Sequence, residues 1–126
     1  MNANKKNTAK RQALSAARLA AVQALYEMDL AGTPPDPVLR EFFKDRWSDD
    51  NLENPDGFLL TTLVRGVSER RDELDGIISP ALSGERTPER LQAVLRSILR
   101  AGAFELSAME KIPPRVVITE YVDVAH

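Results

Sequence analysis

The sequence predicts an all-α helical bundle, and three observations carry that expectation. Apolar residues recur at intervals of three and four through most of the chain, the spacing of one helix face. Residues that start and stop helices punctuate these stretches: Thr, Asp and Pro before them, Gly and Pro after them. The one stretch rich in β-branched residues, Pro114 to His126, has no second such stretch to pair with. A lone strand leaves its backbone donors and acceptors unsatisfied, so helix is expected there too.

The first helix is expected from about residue 9 to residue 31, with Thr8 as N-cap and residues 1–8 as a flexible basic tail. Its apolar stripe is Leu14, Ala17, Ala21, Leu25 and Met28, broadened by Leu19, Val22 and Tyr26. Gly32 supplies the stop, and Thr33-Pro34-Pro35 a rigid connector. Asp36 as N-cap and Pro37 at the first helical position open a second helix, with Leu39, Phe42, Phe43 and Trp47 on its apolar face. Residues 48–55 read as a polar loop. Asp56 caps a third, long helix carrying Leu60, Leu63, Val64, Val67, Leu74, Ile77 and Ile78, interrupted around Arg70-Arg71. It is expected to end at Ser79-Pro80, because the residue before proline disfavours the helical region.

Residues 82–86 read as a connector, and Thr87-Pro88-Glu89 as another capped start. The helix that follows presents Leu91, Val94, Leu95, Ile98, Leu99, Phe104 and Leu106. Gly102 lies inside it at a cost of about 1 kcal/mol relative to alanine. Close packing of a neighbour is the usual reason for such a glycine. The last segment favours strand by propensity. Val117, Ile118, Tyr121 and Val124 also fit helical spacing, and Pro114 suits a first helical turn.

Composition narrows the function. Residues 1–18 carry Lys5, Lys6, Lys10, Arg11 and Arg18 and no acid, while the remaining residues carry 12 basic and 19 acidic side chains. A near-neutral total of −2 therefore hides a cationic arm on an acidic body. That asymmetry points to a polyanion partner; the plainer alternative is a solubilising N-terminus. The chain has no cysteine, which removes disulfides and thiolate chemistry and fits a reducing, cytoplasmic setting. Its single histidine is His126, so a Ser–His nucleophile pair is not expected. The six glycines are scattered and form no phosphate-binding loop. No enzyme activity, cofactor or metal is expected. No apolar run approaches the roughly 20 residues of a membrane span.

Three segments together resemble a known family. Arg18-Leu19-Ala20-Ala21-Val22-Gln23-Ala24-Leu25-Tyr26 resembles the opening helix "ARxxAVQALY" of the bacterial NusB transcription antitermination factors. Ile98 to Leu106, ILRAGAFEL, resembles their "VLRxAxYEL". Ile112 to Ala125, IPPRVVITEYVDVA, resembles their "VPYKVAINEAVELA". Order and spacing match from about residue 10 onward. The resemblance implies two small helical subdomains, here residues 9–79 and 80–126. It implies binding of boxA RNA from ribosomal RNA operons as a heterodimer with NusE, a small-subunit ribosomal protein, in the RNA polymerase antitermination complex. It places RNA contacts on the arm and first helix, here Lys5, Lys6, Lys10, Arg11 and Arg18. Tyr26 is an RNA or partner contact or a core residue. Arg100 and Glu105 are partner contacts or plain surface charges.

The chain also departs from the family pattern. The family is often Arg-dense where Leu14, Ser15, Ala16 and Ala17 stand here, and it often carries an acid where Leu95 stands. The family continues into a closing "FVNGVLD"-like helix. A C-terminally truncated form is therefore expected, with an apolar patch near Tyr121–Ala125 and the Ile98–Leu106 helix. The alternative reading is a NusB-like interaction module without RNA binding, such as the helical accessory domain attached to ribosomal RNA cytosine methyltransferases.

Overall fold

A computed structural model describes residues 3–45, 56–82, 89–108 and 114–125, and within them the chain forms six α-helices and no strand. These are α1 (Ala3–Ala31), α2 (Pro35–Asp45), α3 (Gly57–Glu69), α4 (Arg71–Leu82), α5 (Glu89–Ala108) and α6 (Pro114–Ala125). The all-α expectation holds, including the helix over the β-branched last segment. Trp47, the polar loop and the connector before α5 lie outside the described residues.

α1 begins six residues earlier than the sequence predicts. No Gly or Pro interrupts residues 3–31, so nothing stops the helix at Thr8. Its C-terminus follows expectation. Gly32 adopts a φ of 68°, and its N–H donates to the Met28 carbonyl at 2.8 Å. That is the left-handed cap that glycine adopts without a Cβ penalty. Asp56 likewise caps α3, its side chain accepting from the Leu59 N–H at 3.0 Å. The Asp56 N–H in turn donates to the Ala13 carbonyl, which ties the start of α3 to α1.

The expected long third helix is two helices. At Arg70 the backbone leaves helical geometry (φ −109°, ψ 22°) and α4 starts anew at Arg71. The gap that Arg70-Arg71 leaves in the apolar stripe marks this break. α4 runs past Ser79-Pro80 to Leu82, so proline sits in its last turn rather than beyond its end. Ile78, two residues before the proline, is buried.

One contiguous core draws on all six helices. α1 contributes Ala17, Ala20, Ala21 and Ala24 with Val22 and Leu25. Small residues let its neighbours approach closely. α5 is central, touching α1, α3, α4 and α6. Leu14 and Met28 pack on the core's edge, whereas Leu19, expected to broaden the stripe, is 45% exposed.

Two helical glycines show how tightly α5 is gripped. A Cβ on Gly102 would stand 3.5 Å from the Tyr121 ring, an ordinary contact and the close neighbour the sequence predicts. A Cβ on Gly66 would overlap the Phe104 ring. Only glycine fits there. The expected apolar patch is also present. α5 and α6 leave an open groove lined by Leu95, Leu99, Leu106, Ile118 and Val122, with Val116 exposed close by in sequence on α6.

Candidate nucleic-acid interface

α1 changes character along its length. Lys5, Lys10 and Arg11 are exposed, as are Thr8 and Gln12; residues from Ala13 are half-buried, and the first buried one is Ala17. The helix thus carries its cations on a projecting first third, and Lys6 lies one turn before Lys10. Lys10 and Arg11 make no ion pair among the described residues. The first turn of α1 has no acid to meet the positive end of the helix dipole. Cations there oppose the dipole and weaken the helix. Their placement therefore does not serve the stability of α1 itself.

Arg18 behaves differently, and this corrects the sequence expectation. Its side chain is 1% exposed and faces inward. Its Nε donates to both Glu105 oxygens at 3.0 and 3.1 Å, and Nη2 donates to Oε2 at 2.6 Å. Nη1 also lies 3.7 Å from Glu120, whose carboxylate accepts from the Ser15 hydroxyl. The Tyr121 hydroxyl donates to Glu105 at 2.9 Å. Burial works against the Arg18 charge, but the Glu105 hydrogen bonds and carboxylate outweigh it and raise its pKa. Burial and the Glu105 charge push the Tyr121 phenol well up, so it stays protonated and donates. The network fastens α1 to α5 and α6.

The same correction applies to Arg100 and Glu105. Glu105 is fully buried in the Arg18 network and presents no surface to a partner. Arg100 is 5% exposed and donates to Asp75 on α4 at 2.7 and 2.9 Å. Burial opposes its charge, and the Asp75 hydrogen bond raises its pKa despite that. It also stands 3.5 Å from Asp29, which pairs with Arg71 at 2.8 Å and Arg96 at 3.2 Å. This second network joins the end of α1 to α4 and α5. Tyr26 is half-buried. It lies fifteen residues beyond Arg11 on one helix, about 22 Å along the axis, so the fold does not bring it to the arm.

Sequence reasoning missed the buried pairing, although a signal was there. Arg18 stands at helical spacing with Leu14, Ala21, Val22 and Leu25. Glu105 stands four residues after Ala101 and seven after Ile98. A charge at core spacing on each of two helices announces a buried ion pair. The three stretches singled out in the sequence meet here: one supplies Arg18, the next Glu105, the last Glu120 and Tyr121.

The NusB family model matches residues 15–126. The chain belongs to the NusB family. A protein of Caulobacter vibrioides named transcription antitermination protein NusB is 45% identical over 119 residues, covering 90% of this chain and 79% of the relative. One of the same name from Novosphingobium aromaticivorans is 44% identical over 119 residues, covering 91% and 80%. Another, from Bradyrhizobium sp. strain ORS 278, is 40% identical over 116 residues, covering 88% and 68%. None of these names is that of an enzyme. The match to the family model begins after Lys5, Lys6, Lys10 and Arg11; of these, Lys5, Lys10 and Arg11 are exposed. Among the described residues no helix is long and apolar enough to cross a membrane, and no His, Asp and Glu group is placed to hold a metal.

Proposed function

We propose that this NusB-family chain is a cytoplasmic transcription antitermination factor that binds boxA-type RNA together with NusE in the RNA polymerase antitermination complex. The exposed cations on the first third of α1 are the observation that carries the RNA part of this reading. Lysine and arginine neutralise phosphates, and arginine planes also stack on bases. The names of the relatives carry the antitermination part.

Binding to RNA alone is expected to be weak, because the arm offers few cations and ordering a single strand costs entropy. NusE adds contacts, and linkage then requires RNA to tighten the NusE complex by the same factor. Calorimetry of each pair and of the ternary mixture tests this. A higher RNA affinity in the presence of NusE, matched by a higher NusE affinity in the presence of RNA, supports the reading. Equal RNA affinity with and without NusE rejects the coupling. The second reading, an interaction module without RNA binding, is favoured by the apolar α5–α6 groove. NusE binding with no RNA binding at low salt would select it.

A further inference from the structure

Beside the arm, α1 and α6 leave an open groove of about 830 Å³, within the size range of ligand sites. One wall is a single face of α1, with Arg11, Gln12, Ala16 and Leu19. The other is a face of α6, with Glu120 and Asp123. Leu19 is 45% exposed. Arg11, Gln12 and Asp123 make no hydrogen bond or ion pair among the described residues, although Arg11 and Asp123 line the same groove with opposite charge. The groove thus combines an apolar wall, open donors and an open acceptor.

Resting on the RNA reading above, we infer that this α1–α6 groove takes a nucleobase of the bound single strand, with Asp123 accepting from the exocyclic amino group of adenine, cytosine or guanine. The chemistry of the two walls sets the orientation. Phosphates are drawn to Lys10 and Arg11 and repelled by Glu120 and Asp123, so the backbone stays on the α1 side and bases turn towards α6. An unstacked base places its flat face on Leu19 and Ala16, as flipped bases pack against aromatic and apolar side chains. A carboxylate accepts from a base amino group, while uracil offers none at that edge.

The test titrates boxA RNA, a scrambled strand and uracil-substituted boxA strands with the full chain and two variants, Asp123→Ala and Leu19→Ala, whose folding is checked by melting. Asp123 is exposed and unpaired, and Leu19→Ala keeps a good helix former. The wild type should prefer boxA to one uracil-substituted strand by roughly ten-fold, and Asp123→Ala, which removes the acceptor, should erase that preference by weakening boxA alone. Leu19→Ala should weaken boxA binding with no change in salt slope, because it touches no phosphate. A bystander carboxylate gives the opposite sign: Asp123→Ala then tightens every strand alike by removing repulsion, which overturns the inference and leaves the RNA reading standing. Variants that bind RNA normally but lose NusE assign the groove to protein and overturn it too. A wild type without any boxA preference removes the RNA reading and the inference with it.

Discussion

Arg18 shows why a cation in a basic stretch need not be a binding residue. The Glu105 carboxylate that holds it is fully buried and accepts a fourth hydrogen bond from Tyr121. Removing one partner of a buried pair leaves the other charged and unsatisfied, at about 3–5 kcal/mol. Arg18→Ala should therefore lower the melting temperature steeply. Replacing both charges is milder, so Arg18→Met with Glu105→Gln should recover much of the loss, since glutamine still accepts from Tyr121. The double variant should also keep its RNA affinity and salt slope. A folded double variant that loses both would return Arg18 to the RNA surface. Asp75 makes a separate prediction. The Arg100 hydrogen bond, ahead of an opposing burial effect, holds its carboxyl below the ordinary 3.8. A lowered native pKa stabilises the fold above the unfolded value and loses that contribution as pH falls through the native one. Asp75→Asn should thus flatten the acid side of the melting-temperature profile below about pH 4, and an unchanged acid limb would argue against the contribution.

At the scale of elements, the boundaries that were legible follow from short-range rules, whereas α2 opens at Pro35, ahead of the expected Asp36 cap, and α4 runs past Pro80. Gly32, Asp56 and Pro114 each act through their own backbone or side chain, and each stands at the helix end the sequence assigns. The start of α1 and the break at Arg70 were less legible. The first depends on nothing opposing the helix, and the second on how α4 turns back onto α5. Gly66 was not legible at all, since its reason is the Phe104 ring on another helix. The two glycines therefore predict opposite signs. Gly66→Ala should destabilise by about 1–3 kcal/mol through overpacking, and pairing it with Phe104→Leu should relieve the clash. Gly102→Ala meets only an ordinary contact and should stabilise by up to about 1 kcal/mol. Urea unfolding of the variants decides it, and equal effects at both sites would contradict the packing described.

Across the whole molecule, charge is divided by purpose. Arg18 and Arg100 are spent inside, tying α1, α4, α5 and α6 together, while Lys5, Lys10 and Arg11 stand outside on the projecting end of α1. The charge asymmetry of the sequence foretold the cationic end but not this division, because burial depends on which helices meet. RNA binding by the cationic end of α1 is decided by the salt dependence of boxA RNA affinity for the wild type and for the variant Lys5→Ala, Lys6→Ala, Lys10→Ala, Arg11→Ala. The variant should bind more weakly, with a slope of log affinity against log salt that is shallower by roughly 0.7 for each lost phosphate contact. An unchanged affinity and slope would contradict it.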